Sequence, residues 1–142
     1  MKPKVAFICV HNSCRSQIAE ALGKHLASDV FDSYSGGTVL VDRINPDGVK
    51  VIDKLYGIDM GEGFYSKLLE DLPKIDIVIK MGCNVVCPYL PGTYIEDWGI
   101  DDPTGKDEEE FIKVAKVIKE KIITLANNIK NNNIKELNNK HF

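Results

Sequence analysis

The first half of the chain alternates short apolar runs with helical patterns. Residues 5–10 form a continuous apolar run with β-branched and aromatic members, which predicts a buried strand over 4–10. Ile18, Leu22 and Leu26 then recur every four residues, and this spacing places them on one face of a helix. A weaker alternation over residues 30–35 predicts a second strand, which ends before a pair of glycines.

The same alternation continues from residue 45 onwards. Asn45 is a favourable helix cap, the proline after it suits the first helical position, and the apolar stripe that follows predicts a helix over 46–56. The pattern next predicts a short helix over 66–72 and a strand over 75–79. Residues 94–95 predict a brief fourth strand.

The last predicted helix has a regular apolar stripe. Acidic residues from Asp107 to Glu110 suit the positive end of a helix. The stripe consists of Phe111, Ala115, Ile118, Ile122 and Leu125. Residues 127–142 are rich in asparagine and lysine and poor in apolar residues, so we expect a frayed extension there. The chain is therefore predicted to consist of one domain over 1–126 and this extension.

Strands that alternate with helices predict an α/β fold with a four-stranded parallel sheet and helices on both faces. The length of 142 residues suits a single domain with its own core. In such sheets, ligands bind beyond the carboxyl ends of the strands. We therefore expect a functional site in the polar segment that follows the first strand.

Charge and cysteine content narrow the function classes. A net charge of −3 argues against general nucleic-acid binding, which needs an excess of lysine and arginine. Apolar runs of signal-peptide or membrane-spanning length are missing from the sequence, so we expect a cytoplasmic protein without membrane attachment. Because the cytosol keeps thiols reduced, the four cysteines indicate reactive thiols rather than a disulfide framework.

The segment from Cys9 to Arg15 carries the clearest chemical signal. It stands between a predicted strand and a predicted helix, so backbone N–H groups and the positive end of the helix dipole point into the loop. The loop is therefore predicted to bind a tetrahedral oxyanion, with Arg15 as a planar fork for two of its oxygens. The same positive field favours the thiolate of Cys9 and makes it a nucleophile. The predicted oxyanion-binding residues are Val10, His11, Asn12, Ser13, Cys14 and Arg15.

Four side chains near Cys9 have individual predictions. We expect Ser16 to donate its hydroxyl proton to the Cys9 sulfur, and Asn12 to brace the loop by side-chain hydrogen bonds. His11 is expected to point into solvent, because the backbone of an anion-binding loop faces the ligand. Cys14 is expected to pack as a small, buried and inert apolar group.

Cys83 and Cys87 follow the third predicted strand, at the same edge of the sheet as Cys9. A four-residue offset on a helical turn separates Cα atoms by about 6 Å, which a disulfide can span. Redox chemistry is the preferred interpretation, and two buried cysteines or half of a zinc site are the alternatives. A zinc site needs two further ligands at compatible positions, so no metal site is predicted.

Asp102 begins a segment with the residue types of a type I turn, which by itself explains the proline and glycine that follow. A leaving oxygen needs a proton donor, and this loop places an acid beyond the fourth strand. Asp102 is therefore predicted to be a general acid. Repulsion between Asp101 and Asp102 is expected to raise the pKa of one of them.

Several motifs together resemble the low-molecular-weight protein tyrosine phosphatase family over residues 4 to about 125. They are Cys9-X5-Arg15-Ser16, Ser35-Gly-Gly-Thr38 and Asp102-Pro103. Within that family, other segments resemble the thioredoxin-coupled arsenate reductases. These are residues 11–20, the pair Cys83 and Cys87, and residues 96–106.

The resemblance implies an arsenate reductase with a relay of three cysteines. Cys9 would attack arsenate held by the loop, and Asp102 would assist loss of the leaving oxygen. Cys83 would then attack Cys9 and release arsenite, and Cys87 would move the disulfide to the pair Cys83 and Cys87. Thioredoxin would reduce that pair, so the resemblance implies no bound cofactor.

Two features depart from the resembled reductases. Only residues 84–86 separate the second and third cysteines, a shorter gap than in those enzymes. Potassium-binding members use an acidic residue where this chain has Lys67, so we expect no potassium, although Asn12, Glu20 and Ser35 match the other ligands.

Two other functions stay open. A phosphomonoester hydrolase of the same fold would use Cys9, Arg15 and Asp102 to form and hydrolyse a phosphocysteine, without Cys83 or Cys87. A thiol redox or arsenite-sensing protein would use its cysteines without turnover. A monomer is expected for each function.

Overall fold

A four-stranded parallel sheet in the order β2-β1-β3-β4 organises the computed structural model, which describes residues 2–61, 63–82 and 94–131. The strands are β1 (Lys4–Ile8), β2 (Asp32–Gly36), β3 (Ile77–Lys80) and β4 (Tyr94–Asp97). The helices are α1 (Arg15–Leu26), α2 (Pro46–Tyr56) and α3 (Glu108–Lys130). The predicted α/β fold with a four-stranded parallel sheet is therefore confirmed.

The predicted helix over 66–72 is wrong, because the backbone of this segment pairs with the chain beyond β2. The amide of Gly37 donates to the carbonyl of Lys67 at 2.8 Å, and the amide of Leu69 donates to the carbonyl of Gly37 at 2.8 Å. These bonds hold the segment extended, and only a 3₁₀ turn at Leu69–Asp71 remains helical. Contacts remote in sequence thus override a local helical pattern.

The remaining elements agree with the predictions apart from their ends. β1 ends at Ile8, so Val10 lies outside the strand, and the predicted strands over 30–35 and 75–79 each begin and end later in the structure. The helix over 46–56 is confirmed, with the side chain of Asn45 accepting from the amides of Asp47 and Gly48. Local capping chemistry therefore sets the start of α2.

The last helix is longer than predicted. The side chain of Asp107 caps it by accepting from the amide of Glu110, and the helix continues to Lys130. Residues 127–130 therefore belong to α3 rather than to a frayed extension, while 132–142 lie outside the described residues. None of the helices in the described part of the chain is long and apolar enough to cross a membrane.

The larger core lies between one face of the sheet and all three helices. Ile18 and Leu22 of α1 are fully buried there, but Leu26 is 38% exposed, so its predicted place on the packed face is wrong. On the other face of the sheet, a smaller cluster consists of Ala6, Ile8, Ile75 and Val78. Leu69 and Leu72, in and beside the 3₁₀ turn, pack against this cluster.

The strand ends are level at one edge of the sheet. Ile8 pairs with Gly36 on one side and Lys80 on the other, and Lys80 pairs with Asp97. The segments that follow all four strands therefore leave the sheet together. The chain runs from β1 outward to β2 on one side and from β3 outward to β4 on the other, so the strand order reverses between β1 and β3. Ligands bind beyond the strand ends at such a reversal, and the Cys9 segment follows β1 there.

Candidate active site

The segment between β1 and α1 forms a loop whose backbone turns at Asn12. Asn12 has a φ of 52°, in the left-handed region, and its side chain is fully buried. Its amide nitrogen Nδ2 donates to Ser16 Oγ at 2.9 Å, and its oxygen Oδ1 accepts from the backbone amide of Lys67 at 2.8 Å. The prediction that Asn12 braces the loop by side-chain hydrogen bonds is confirmed.

Gln17 also holds this loop, although it is not among the residues predicted from the sequence. Its Nε2 lies 3.0 Å from both the backbone carbonyl and the side-chain oxygen of Asn12, and 2.8 Å from the carbonyl of Tyr65. Gln17 is fully buried in the first turn of α1. A polar residue on the helix next to a predicted loop was the available signal, but the sequence did not show that this position is buried.

Gly37 allows the chain beyond β2 to lie directly against the loop. A Cβ atom at this position would meet the carbonyl oxygens of Val10 and Cys9 at 2.5 and 2.9 Å. The amides of Thr38 and Val39 both donate to the carbonyl of Val10, at 2.8 and 3.0 Å. The loop is therefore fixed from this side by backbone contacts that only glycine permits.

The N-terminus of α1 faces this loop, and neither its cap residue nor its first turn offsets the positive end of the helix dipole. Cys14, at the cap position, makes no side-chain capping bond, and the first turn of α1 contains no acidic residue. The first N–H groups of a helix and its dipole attract anions. The loop therefore has the field that a tetrahedral oxyanion needs.

Arg15 joins the loop to two other segments at the sheet edge. The residue is only 8% exposed, and its Nη1 donates to the carbonyl of Met81 at 2.9 Å and to that of Ile100 at 2.6 Å. Its Nη2 lies 3.8 Å from Asp102 Oδ2. Since a guanidinium has five N–H donors, Arg15 can hold both carbonyls and still present donors to an oxyanion.

Asp102 lies beside Arg15, with about half of its side chain exposed. Burial raises its pKa, but hydrogen bonds from the amide and hydroxyl of Thr104, and the charges of Arg15 and Lys106, lower it overall. The predicted increase through repulsion from Asp101 is therefore wrong for Asp102. Its carboxyl is ionised at neutral pH, so it must first receive a proton before it can act as an acid.

The chain matches the low molecular weight phosphotyrosine protein phosphatase family over residues 4–136. It belongs to this family. Arsenate reductase 1 of Staphylococcus epidermidis is 38% identical over 132 residues, which cover 90% of this chain and 98% of that relative.

Two solved structures of similar proteins extend this comparison. An arsenate reductase in the phosphate-binding state has a TM-score of 0.79 and 34% identity, and the match covers 91% of this chain and 99% of that one. The thioredoxin-dependent arsenate reductase of Corynebacterium glutamicum has a TM-score of 0.73 and 32% identity. That match covers 91% of this chain and 62% of the Corynebacterium chain.

The other predicted site residues differ in exposure. Cys9 is 5% exposed at the start of the loop, Ser13 is half-buried, and His11 is exposed, as predicted. Cys14 is buried and its pKa is raised to about 12, first by burial and then by the charge of Asp102. The prediction that Cys14 packs as a small buried group is confirmed, and its thiol stays protonated at neutral pH.

The roles of the remaining residues stay predictions. Ser16 is fully buried and its hydroxyl accepts from Asn12, while donation to the Cys9 sulfur remains an expectation. Cys83 and Cys87 lie outside the described residues. Of the four cysteines, the structure therefore describes Cys9 and Cys14.

Gly82, the last described residue before Cys83, is held closely at the sheet edge. It has a φ of 82°, and a Cβ atom there would lie 2.7 Å from the Cα atom of Gly99. The preceding amide, of Met81, donates to the carbonyl of Ile8 at 3.0 Å. The segment that leads to Cys83 therefore begins from a fixed position beside the end of β1.

Proposed function

We propose that this protein reduces arsenate to arsenite. Its similarity to proteins that are named arsenate reductases supports this proposal. One observation carries the proposal beyond family membership. Arg15 of the anion-binding loop holds the carbonyl of Met81 at 2.9 Å, and Cys83 is two residues further along the chain. The loop that binds an oxyanion and the segment that leads to the cysteine pair are therefore fixed to each other.

The first step is attack on arsenate by the Cys9 thiolate. The N-terminus of α1 and Arg15 hold the arsenate oxygens and stabilise the charge that develops on them. An S–As bond forms, and an arsenate oxygen leaves as water. Because the lowered pKa of Asp102 keeps its carboxylate ionised beforehand, Asp102 first takes a proton from the protonated oxyanion and then supplies it to the leaving oxygen.

The second step transfers two electrons to arsenic. The Cys83 thiolate attacks the Cys9 sulfur, the S–As bond breaks, and its electron pair stays on arsenic, which leaves as arsenite. A disulfide between Cys9 and Cys83 results. Cys87 then attacks Cys83, so the disulfide moves to Cys83 and Cys87, and Cys9 returns to its thiolate form.

We further propose thioredoxin as the reductant, because a solved relative at 32% identity is named as thioredoxin-dependent. The two thiols of reduced thioredoxin convert the disulfide of Cys83 and Cys87 back to thiols, and thioredoxin becomes oxidised. The protein itself then needs no bound redox cofactor. This reaction belongs to a reducing compartment such as the cytoplasm.

A coupled assay tests the proposal. Arsenate, thioredoxin, thioredoxin reductase and NADPH are supplied to the wild type and to Cys87→Ala. We expect sustained arsenate-dependent NADPH oxidation for the wild type and its loss in Cys87→Ala. Equal NADPH oxidation by the wild type and Cys87→Ala would contradict the relay.

A phosphomonoesterase is the second candidate function, and the family match over residues 4–136 favours it. Cys9, Arg15 and Asp102 would be sufficient for formation and hydrolysis of a phosphocysteine. An aryl phosphate distinguishes the two candidates, because ester hydrolysis requires neither Cys83 nor Cys87. If arsenate gives no turnover while the wild type and Cys87→Ala hydrolyse the ester equally well, the phosphatase is the correct function and the reductase proposal fails.

A further inference from the structure

The ammonium group of Lys67 lies among oxygen atoms beneath the anion-binding loop. Its Nζ is 3.0 Å from the carbonyl oxygen of Tyr65, 3.3 Å from Glu20 Oε1 and 3.5 Å from Ser35 Oγ. The side chain of Lys67 is only 16% exposed. A lysine this far from solvent is held by its partners rather than by water.

Glu20 is the anionic member of this cluster. Its side chain is 3% exposed, Oε1 accepts from Ser35 Oγ at 2.6 Å, and Oε2 accepts from Lys24 Nζ at 2.8 Å. A buried carboxylate is strongly unfavourable without a positive partner. Lys67 supplies positive charge on the inner side of the carboxylate, and the half-exposed Lys24 supplies it on the outer side.

Lys67 connects this cluster directly to the anion-binding loop. Its backbone amide donates to Asn12 Oδ1 at 2.8 Å, while its side chain reaches Glu20. The carbonyl of Tyr65 that contacts the ammonium also accepts from Gln17, which holds Asn12 from the other side. The position of the ammonium therefore determines the position of the backbone that supports the left-handed turn at Asn12.

The residues present do not fit a potassium ion at this place. Glu20 Oε1, Ser35 Oγ and the Tyr65 carbonyl are oxygen ligands of the kind that a hard cation prefers, but all three already contact the Lys67 ammonium. A second positive charge beside the ammonium would be repelled in this buried position. This chain thus differs at Lys67 from the potassium-binding reductases that its sequence resembles.

We propose that Lys67 is a covalently attached monovalent cation that positions the anion-binding loop, so that the protein needs no dissolved cation. Lys67 is a positioning residue, because it acts on the oxyanion through Asn12 rather than by contact. Of the measurements below, only arsenate turnover rests on the proposed function. The affinity of the loop for phosphate is independent of the cysteine relay.

The test compares Lys67→Ala with the matched control Lys24→Ala, which removes the other positive partner of Glu20 without touching the loop. Affinity for inorganic phosphate is measured by protection of Cys9 from iodoacetamide, in a buffer with choline as the cation. We expect Lys67→Ala to lose phosphate affinity about tenfold, because a displaced loop loses part of its contacts with phosphate and about 1.4 kcal/mol of binding free energy corresponds to a factor of ten. Lys24→Ala and the wild type are expected to bind alike.

Cation rescue separates a positioning charge from a merely structural side chain. Adding potassium or ammonium is expected to restore most of the phosphate affinity of Lys67→Ala and to leave the wild type unchanged. An increase in the phosphate affinity of the wild type on addition of potassium would overturn the proposal. So would equal phosphate affinity of the two variants, or a loss in Lys67→Ala that neither cation restores.

Two controls keep these outcomes interpretable. Thermal unfolding shows whether Lys67→Ala folds, and if it does not, Lys67→Gln is measured in the same way because it keeps most of the side-chain length. Arsenate turnover is measured in parallel. A wild type that binds phosphate without reducing arsenate contradicts the proposed function, while the phosphate comparison still decides the role of Lys67.

Discussion

Arg15 connects the Cys9 loop to two other segments at the sheet edge. Its Nη1 binds the carbonyls of Met81 and Ile100, and the remaining donors are available to the oxyanion. The sequence predicts only the contact with an oxyanion, because the Cys9–Arg15 spacing indicates a loop and a guanidinium fork but no partner remote in sequence. The same limit hid Gln17, whose buried contacts with Asn12 depend on how α1 packs.

Arg15→Lys tests this double role. A lysine ammonium is a point charge without the planar fork, so it cannot hold both carbonyls and two oxyanion oxygens together. We expect kcat/KM for arsenate to fall by about 10²-fold or more, as when a single oxyanion donor is removed. Arg43→Lys is the matched control, because Arg43 is exposed. Activity of Arg15→Lys within a few-fold of the control would contradict this account.

Asp102 gives a prediction with a definite sign in pH. Its pKa in the folded protein is lowered, so its carboxylate stabilises the fold fully above the ordinary aspartate value of about 3.9. That contribution to stability is lost as pH falls through the lowered pKa of Asp102 in the folded protein. Urea unfolding of the wild type and Asp102→Asn should therefore show a stability difference at neutral pH that disappears in acid. A difference that is constant with pH would show that ionisation of Asp102 does not matter.

Secondary-structure elements were predictable where local chemistry decides them. The cap at Asn45 and the acidic start of α3 depend only on residues close in sequence, and both helices begin as expected. The segment 66–72 was not predictable in this way, because its backbone bonds with Gly37. The same segment carries Lys67, so the failure of the helix prediction marks a part of the chain that supports the site.

Two glycine substitutions test the packing of the elements. Gly37→Ala would place a Cβ atom 2.5 Å from the carbonyl oxygen of Val10, so we expect the loop to shift and phosphate affinity to fall about tenfold or more. Gly48→Ala, inside α2, would meet only ordinary contacts at 3.6 Å, so we expect stabilisation by up to about 1 kcal/mol.

Thermal unfolding and phosphate protection of Cys9 measure both glycine variants. The predicted pattern is a higher melting temperature with unchanged binding for Gly48→Ala, and weakened binding for Gly37→Ala. If Gly37→Ala binds phosphate like the wild type, the close contact between the Cys9 loop and the chain beyond β2 does not set the geometry of the site.

At the scale of the whole molecule, the level strand ends bring the chemistry to one edge of the sheet. The alternation of strands and helices predicted this edge correctly, since parallel strands expose their carboxyl ends together. It could not predict how the segments beyond the strands are joined. These segments contact each other through carbonyl oxygens and close backbone approaches at Arg15, Gly37 and Gly82. Such contacts depend on tertiary structure.

A single-turnover experiment tests the central claim, that arsenate reduction starts at Cys9 and ends as a disulfide of Cys83 and Cys87. Reduced protein is mixed with arsenate without thioredoxin, the remaining thiols are alkylated in denaturant, and peptides are mapped by mass spectrometry. We expect one arsenite per protein, alkylated Cys9 and Cys14, and a disulfide of Cys83 and Cys87, with a disulfide of Cys9 and Cys83 trapped in Cys87→Ala. Arsenite formed while Cys83 and Cys87 both remain alkylatable would contradict it.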